Sequence, residues 1–269
     1  MVCFPLGKIN LGLRVIRKRD DGYHDIETCF YPLPWNDILE IIPSKTMSFT
    51  NTGINVPGQH DDNLCLKAYY VLQEEFDLPS VDVHLHKIVP MGAGLGGGSS
   101  DAAHAVMLLN EVFNLNLSNS QLEQYASKLG SDCAYFIHRG PMIGTGRGEI
   151  LNTIDVSLKG KFIVVIKPDV HVSTREAYNG VRPNSAGTSI TEIIKQHSIS
   201  DWKDLLVNDF EASVFSQFPI IQKVKEELYN QGAEYASMSG SGSAVFGIFK
   251  AKVNLKKYTK DMGYWSGTL

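Results

Sequence analysis

Residues 90–103 read Pro90-Met91-Gly92-Ala93-Gly94-Leu95-Gly96-Gly97-Gly98-Ser99-Ser100-Asp101-Ala102-Ala103, a glycine-dense segment after an alternating apolar run and before a helical pattern. Glycine lets the backbone turn through positive φ and brings its N–H groups close to an anion. The start of the following helix adds amides without intrahelical partners and the positive end of the helix dipole. The segment from Pro90 to Ser100 therefore predicts a phosphate-binding loop.

The spacing of the glycines separates this loop from two common phosphate-binding motifs. Gly92, Gly94 and Gly97 fit G-x-G-x-x-G, but a dinucleotide fold needs a second strand with an acidic residue about 20 positions further on. That region here holds a helical pattern and the polar segment 114–119. The P-loop spacing is nearly met as well, but Gly98 occupies the position of its lysine. Both folds are therefore disfavoured.

Protein kinases are disfavoured too, because the nearest approach to their H-R-D motif is His138-Arg139-Gly140, which lacks the carboxylate. Phosphate charge must then be neutralised by Mg²⁺, the helix dipole and lysines elsewhere in the chain. Lys87 and Lys8 are the candidates. A second glycine loop, Met238-Ser239-Gly240-Ser241-Gly242-Ser243, offers further backbone donors, although a flexible turn explains it equally well on its own.

Apolar periodicity predicts a mixed α and β chain in two parts. Expected strands cover residues 9–16, 38–42, 81–89, 162–166, 233–238 and 244–249, and expected helices cover 63–76, 99–113, 219–229 and a lysine-rich C-terminal segment. A further helix is expected to begin at Ser120, with Glu123 completing a capping box, and to end near Gly130. The pattern starts afresh after about residue 155, which predicts domains over 1–155 and 156–269.

Composition excludes several classes of protein. The chain has 269 residues, 43% of them hydrophobic, and a net charge of −4, which opposes binding to a nucleic-acid backbone. The basic run from Arg14 to Arg19 precedes Asp20-Asp21-Gly22 and is typical of a hairpin tip. No stretch approaches the ~20 apolar residues that span a bilayer, and the N-terminus lacks an export signal. We expect a cytoplasmic protein with no membrane partner and four reduced, buried cysteines.

Three segments in chain order resemble the motifs of a known superfamily. Lys8-Ile9-Asn10-Leu11, residues 90–103 and residues 238–243 resemble the three motifs of the galactokinase, homoserine kinase, mevalonate kinase and phosphomevalonate kinase superfamily. The resemblance implies an α+β, two-domain small-molecule kinase fold. It also implies an N-terminal ribosomal-protein-S5-like α/β domain, a C-terminal ferredoxin-like domain and an active site in the cleft between them.

Further segments resemble one branch of that superfamily, whose members phosphorylate a cytidine-diphosphate-linked alcohol in non-mevalonate isoprenoid synthesis. They are Asp21-Gly22-Tyr23-His24, Glu27-Thr28, Leu129-Gly130-Ser131-Asp132 and residues 144–149. The resemblance implies that Asp132 is the general base and that Lys8 keeps it ionised and steadies the transferring phosphoryl group. Local sequence alone favours a helix cap at Asp132. One departure is Pro5-Leu6-Gly7 before Lys8, where the family usually has Pro-Ala.

The same resemblance assigns the remaining site residues. ATP and Mg²⁺ are the implied cofactors, with no predicted metal ligands beyond phosphates, water and Ser100, and the oligomer is expected to be a monomer or weak homodimer. The nucleotide side is assigned to Asn63, Lys87 and residues 90–100. The side of the cytidyl substrate is assigned to Asn10, Tyr23, His24, Thr174, Tyr178, Gly240 and Ser241, with the two tyrosine rings stacking on the base.

Three alternatives stay open at this point. The chain fits another kinase of the superfamily, such as homoserine or mevalonate kinase, if residues 21–24 do not serve a cytidine pocket. It also fits a regulatory module that has the kinase fold and binds a nucleotide but catalyses no reaction, because a fold alone does not establish chemistry. It fits an RNA-binding protein if the basic run from Arg14 to Arg19 binds single strands.

Overall fold

The computed structural model describes residues 1–58 and 62–269, which form two compact units. The first unit contains Met1–Gly7, Trp35–Met91 and Gly96–Arg139, and the second contains Lys8–Pro34, Gly92–Leu95 and Gly140–Leu269. Both units combine helices and strands, so the fold is mixed α and β. Within the described ranges, no helix is both long and apolar enough to cross a membrane.

The first unit is built on a four-stranded sheet. Its strands are β1 (Val2–Cys3), β4 (Ile38–Pro43), β6 (Val81–Lys87) and β5 (Ser48–Gly53), in that spatial order. β4 pairs with β6 antiparallel, whereas β5 and β6 run parallel. His84 and His86 on β6 both hydrogen-bond the Thr52 hydroxyl, at 2.8 and 2.9 Å. The two histidines therefore lie on the same face of β6.

Three helices complete the first unit: α1 (Leu64–Phe76), α2 (Gly97–Val112) and α3 (Asn119–Leu129), followed by a 3₁₀ turn at Ala134–Ile137. The buried residues of α2 include Ala102, Ala105, Val106 and Leu109, the face that its periodicity predicts. The predicted capping box at Ser120 and Glu123 is wrong. Ser118 and Gln121 form it instead, two residues earlier in the chain, because their side chains and backbone amides bond reciprocally.

A long hairpin opens the second unit. β2 (Leu6–Lys18) and β3 (His24–Asn36) pair with β7 (Met142–Gly146) and β8 (Ile150–Thr153) in the order β2-β3-β7-β8. At the hairpin tip Arg17 and Arg19 contact Asp25 at 2.5 and 3.2 Å, and Arg19 contacts Asp21 at 3.0 Å. The prediction of a hairpin tip is therefore confirmed for Arg17 and Arg19, whereas Arg14 lies within β2 and donates to the Ala186 carbonyl at 2.5 Å.

The second sheet of this unit has the order β10-β11-β9-β12, all antiparallel. Its strands are β9 (Phe162–Lys167), β10 (Tyr235–Met238), β11 (Val245–Phe249) and β12 (Gly263–Thr268). Numbered along the chain this is the order 4-1-3-2 of the ferredoxin-like fold. The predicted lysine-rich final helix is wrong, because only a 3₁₀ turn at Lys256–Tyr258 forms before β12 pairs with β9. Edge pairing outweighs the weak helical preference of the polar segment.

Helices of the second unit pack beside this sheet. They are α4 (Thr174–Asn179), α5 (Ile190–Gln196), α6 (Trp202–Leu205), α7 (Glu211–Gln217) and α8 (Pro219–Asn230), with a 3₁₀ turn at Ile199–Asp201. Proline at the first position of α8 needs no N–H partner there. The core joins Leu13 and Val15 of β2 to Val164 of β9 and Leu228 of α8. Residues from both ends of the sequence thus share one apolar cluster.

Candidate active site

The glycine-rich loop between β6 and α2 adopts the conformation that its composition predicts. Gly92, Gly94 and Gly96 have φ values of 58°, 75° and 69°, the left-handed region that favours glycine. Gly96 is the N-cap of α2 and supplies no side-chain hydrogen bond. The first amides of α2 lack intrahelical acceptors, so this helix start is suited to bind an anion.

Gly94 allows the loop to approach the second glycine loop, residues 238–243, and Ala244 directly after it. A Cβ atom at Gly94 would lie 1.8 Å from the Ser239 carbonyl oxygen, which no larger residue could tolerate. The Ser239 hydroxyl donates to the Gly94 carbonyl at 2.7 Å, and the Ala244 amide donates to Ala93 at 3.1 Å. The two loops that were predicted separately are therefore joined by direct hydrogen bonds.

Lys8 on β2 belongs to the same cluster and is 3% exposed. Its Nζ donates to Asn10 Oδ1 at 2.6 Å and to the Gly94 carbonyl at 2.9 Å. Asn10 Nδ2 donates to the Thr28 hydroxyl at 2.9 Å, and that hydroxyl donates to the Gly12 carbonyl at 2.6 Å. This buried series of hydrogen bonds fixes the orientation of the Asn10 amide, and so directs Asn10 Oδ1 towards the Lys8 ammonium group.

The side chain of Asn208 holds the second glycine loop through two hydrogen bonds. Its Nδ2 donates to the carbonyls of Met238 and Gly240, each at 2.8 Å. On the other side Thr174 Oγ1 lies 3.5 Å from Ser241 Oγ, and a Cβ at Gly240 would lie 3.4 Å from Asn10 Oδ1. The structure thus brings together four of the residues assigned to the cytidyl substrate.

The three aromatic residues assigned to the substrate all lie in the second unit, where each makes a contact through its ring. His24 stacks on Tyr178 with ring centroids 4.7 Å apart and an interplanar angle of 20°. Tyr23 is 57% exposed and lies under the Arg147 guanidinium at 4.9 Å. Burial lowers the pKa of His24, and Lys18 adds to this shift, so the ring is neutral at pH 7. A neutral imidazole can both donate and accept a hydrogen bond.

A cavity of about 580 Å³ lies in the first unit, within the size range of small-molecule sites. It is lined by residues of β5, the loop after it, the start of α1, and the segments at 85–91 and 98–101. Four residues assigned to the nucleotide line it: Asn63, Lys87, Met91 and Gly98. Asn63 also caps α1, because its Oδ1 accepts from the Cys65 amide at 2.9 Å.

Lys87 is buried in a three-residue ion cluster under the glycine-rich loop. Its Nζ contacts Asp37 and lies 2.7 Å from Asp101 Oδ2. Burial alone would lower the pKa of Lys87, but the two carboxylates outweigh it and the pKa is raised. The pKa of Asp101 is raised to about 7, chiefly by burial and also by the Asp37 charge, while Lys87 acts in the opposite direction. The ammonium charge is thus already compensated within the protein.

Asp132 lies in the turn after α3 and is half-buried. Burial raises the pKa of the adjacent Cys133 thiol to about 11, a hydrogen bond with Ser99 lowers it, and the Asp132 charge raises it. Cys133 therefore connects the Asp132 turn to the first turn of α2. Asp132 therefore lies near the helix start that follows the glycine-rich loop.

The residues present suit ATP better than a protein-held metal ion. Uncapped amides at the start of α2 fit phosphate oxygens. Across residues 1–58 and 62–269, no group of three or more His, Cys, Asp or Glu side chains could hold a metal. Ser100, the one suggested protein ligand, is fully buried and lies 3.3 Å from His104 Nδ1.

Sequence reasoning missed several residues that shape the site. The sequence indicates Thr28 only as part of a family motif and Ser239 only as part of the second glycine loop, with no individual role for either residue. Asp37 and Asn208 were not noted at all, because isolated polar residues in the sequence carry no sign of their distant partners. An apolar run ending in Asn36-Asp37 before another strand was the one available signal for a turn there.

Comparison with known proteins agrees with this geometry. The family model of the GHMP kinases N terminal domain matches residues 63–140, and that of the GHMP kinases C terminal domain matches residues 190–258. A 4-diphosphocytidyl-2-C-methyl-D-erythritol kinase of Cytophaga hutchinsonii is 54% identical over 253 residues, covering 94% of this chain and 93% of that protein. One from Parabacteroides distasonis is 47% identical over 271 residues, covering 100% of both chains.

Solved structures give the same result at the level of fold. A crystal structure of 4-(cytidine 5'-diphospho)-2C-methyl-D-erythritol kinase has a TM-score of 0.83 and 29% identity, covering 100% of this chain and 98% of that one. The Methanococcus jannaschii mevalonate kinase has a TM-score of 0.72 at 15% identity, covering 100% and 98% of the two chains, which shows a shared fold alone. The expected α+β kinase fold is confirmed. The chain therefore belongs to the GHMP kinases and, within them, to the family of the 4-diphosphocytidyl-2-C-methyl-D-erythritol kinases.

Proposed function

We propose that this chain transfers the γ-phosphoryl group of ATP to the 2-hydroxyl of 4-(cytidine 5'-diphospho)-2-C-methyl-D-erythritol, in non-mevalonate isoprenoid precursor biosynthesis. The observation that carries the proposal is the end-to-end likeness to kinases of that name, at 47% identity over the whole of both chains. The loop glycines at positive φ and the uncapped start of α2 support ATP as the phosphoryl donor.

Asp132 is proposed as the general base and Lys8 as the supporting cation. Asp132 takes the proton of the substrate's 2-hydroxyl while the oxygen of that hydroxyl bonds to the γ-phosphorus. The bond between the γ-phosphorus and the bridging oxygen breaks, and this oxygen leaves with ADP. The Lys8 ammonium favours the ionised carboxylate and offsets charge on the transferring group. Mg²⁺ bound with ATP neutralises charge on the phosphate oxygens.

The cytidyl substrate is assigned to the cluster around the second glycine loop and the β2–β3 hairpin. Its proposed contacts are Asn10, Tyr23, His24, Thr174, Tyr178, Gly240 and Ser241. The neutral His24 ring suits hydrogen bonds to a base edge, and the tyrosine rings suit stacking on its faces. Asn63, Lys87 and residues 90–100 are proposed for the nucleotide.

Other properties of the enzyme stay predictions. These are the division into domains over 1–155 and 156–269, the monomeric or weakly dimeric state, and the cytoplasmic location. The alternative of a homoserine or mevalonate kinase is not favoured, because the mevalonate kinase match shares 15% identity whereas the cytidyl kinase relatives share 47% and 54%.

An acceptor panel tests the function. The purified protein is assayed for ADP release with ATP and Mg²⁺ in the presence of the cytidyl alcohol, homoserine or mevalonate. We expect turnover with the cytidyl alcohol and a kcat/KM at least about 10³-fold lower with the other two, because they leave the base-binding groups unpaired. Equal rates with mevalonate or homoserine would contradict the assignment. ATP binding without turnover of any acceptor would favour the regulatory module.

A further inference from the structure

Asp37 is a buried carboxylate that the proposed reaction does not use. It lies between β3 and β4 and is 0% exposed. Its Oδ1 accepts from the backbone amides of Ile88 and Val89, at 2.5 and 2.8 Å. Its Oδ2 contacts the Lys87 ammonium. Every one of these partners lies within three residues of Pro90, where the glycine-rich loop begins.

The position of those two amides explains why they need Asp37. β6 ends at Lys87, so Ile88 and Val89 have left the β6 ladder and their N–H groups lack strand partners. A buried N–H without an acceptor is costly, and a carboxylate is a strong acceptor for two of them. By binding both amides, Asp37 sets the direction in which the chain leaves the sheet and enters the loop.

The same cluster also holds the far end of the loop. Lys87 Nζ lies 2.7 Å from Asp101 Oδ2, and Asp101 belongs to the beginning of α2 and is 3% exposed. A Cβ atom at Gly97 would lie 2.8 Å from Lys87 Nζ, so the ammonium group sits directly against the first residue of α2. Asp37 and Asp101, which are far apart in sequence, thus meet at one lysine.

We propose that Asp37 is a positioning residue for the phosphate-binding loop, acting through the amides of Ile88 and Val89 and through Lys87 on the start of α2. The proposal rests on ATP binding at this loop, as given under the proposed function. The loop amides bind phosphate well only when they converge on it, and small displacements of binding groups have large costs. Loss of Asp37 should therefore weaken the binding of ATP and leave the binding of the cytidyl substrate intact.

Two substitutions of Asp37 separate the loss of its charge from the loss of its hydrogen-bond acceptors. Asp37→Asn keeps an oxygen that can accept from Ile88 and Val89 but removes the charge that pairs with Lys87. Asp37→Ala removes both. Tyr31→Phe is the matched control, because the Tyr31 hydroxyl is another buried acceptor of a backbone amide, that of Leu158 at 3.0 Å, away from the glycine-rich loop.

The measurement compares the two substrates in each variant. Isothermal titration gives the Kd of a non-hydrolysable ATP analogue, and steady-state kinetics give KM for ATP and for the cytidyl alcohol, both well below the melting temperatures. We expect the Kd and KM for the nucleotide to rise about tenfold in Asp37→Asn and further in Asp37→Ala, with KM for the cytidyl alcohol within about twofold of the parent. Tyr31→Phe should change neither.

Hydrogen exchange separates positioning from a general loss of stability. In Asp37→Asn, amides in residues 88–100 should exchange faster, whereas those of β9 should keep their rates. A folded Asp37→Asn protein with parental affinity for the nucleotide would overturn the inference, and so would an equal loss for both substrates. If Asp37→Ala does not fold, Asp37→Asn decides. A parent protein that binds nucleotide but does not phosphorylate the cytidyl alcohol would refute the proposed function alone.

Discussion

At the scale of single residues, the site depends on where a few buried charges find their partners. Lys8 is held by Asn10 and the Gly94 carbonyl, whereas Lys87 is held by two carboxylates. The sequence indicates both lysines as candidates to neutralise the charge of the bound phosphates. Their contacts differ, because Lys8 donates to neutral oxygens of Asn10 and Gly94, whereas two carboxylates balance the charge of Lys87 inside the protein.

Asp132→Asn tests the proposed general base. The amide keeps the size of the side chain but cannot take a proton, so we expect a folded protein with kcat lowered by about 10²- to 10⁴-fold. Steady-state turnover with saturating ATP and cytidyl alcohol measures the loss. Asp155→Asn, at an exposed aspartate, is the matched control and should keep the parental rate. Near-parental turnover in Asp132→Asn would remove the assignment.

Asp101→Asn tests the electrostatics of the buried ion cluster. Burial raises the pKa of Asp101 from 3.8 to about 7, so the folded protein holds this proton more tightly than the unfolded chain. The resulting stability is fully present below about pH 4 and is lost as the pH rises towards 7. Asparagine carries no such proton, so the variant should gain stability relative to the parent across that window.

Denaturant unfolding of both proteins between pH 4 and 8 measures that difference. The change across the window is on the order of a few kcal/mol, since one pKa unit corresponds to about 1.4 kcal/mol. Comparing the two proteins at each pH cancels the contributions of other carboxylates. A difference in unfolding free energy that stays constant with pH would mean that Asp101 does not titrate in this range.

At the scale of elements, local patterns predicted most helices and strands but not all of their ends. α2 begins at Gly97, two residues before the predicted start at Ser99. Gly96, in the left-handed conformation, is its N-cap, and the backbone is helical from Gly97 onwards. Helix propensity counts against glycine there. The contact of Gly97 with Lys87 requires a residue without a side chain, and this requirement is invisible in the local sequence.

Removal of residues 263–269 tests the C-terminal strand β12, which the sequence patterns do not predict. β12 pairs with β9 along its whole length, and Phe162 to Ile166 of β9 are buried. Deletion would open one edge of β9 and its amides, so we expect the melting temperature to fall by at least about 5 °C. Thermal unfolding followed by circular dichroism measures it.

The control for this deletion is Lys260→Ala, at an exposed residue just before β12. It changes the charge of the same segment but leaves the pairing with β9 intact, and it should melt with the parent protein. A truncated protein with the parental melting temperature would show that β12 contributes nothing to the stability of the sheet.

At the scale of the whole molecule, the two compact units do not follow the order of the sequence. The second unit takes most of β2, most of β3 and the loop residues Gly92–Leu95 from the N-terminal half. A composition pattern that restarts after residue 155 cannot reveal this, because it reports local periodicity and not strand pairing. The domain boundary predicted near residue 155 stays a prediction.

The sequence by itself determined the glycine-rich loop, the helix and strand patterns and the family, because backbone freedom at Gly92, Gly94 and Gly96 and apolar periodicity are local properties. Only the tertiary structure decided that His24 stacks on Tyr178, that Thr28 orients Asn10, and that Asp37 binds the amides before the loop. These contacts join residues 18 to 154 positions apart. Their energies depend on distance and burial, which follow from packing and cannot be read from neighbours in the chain.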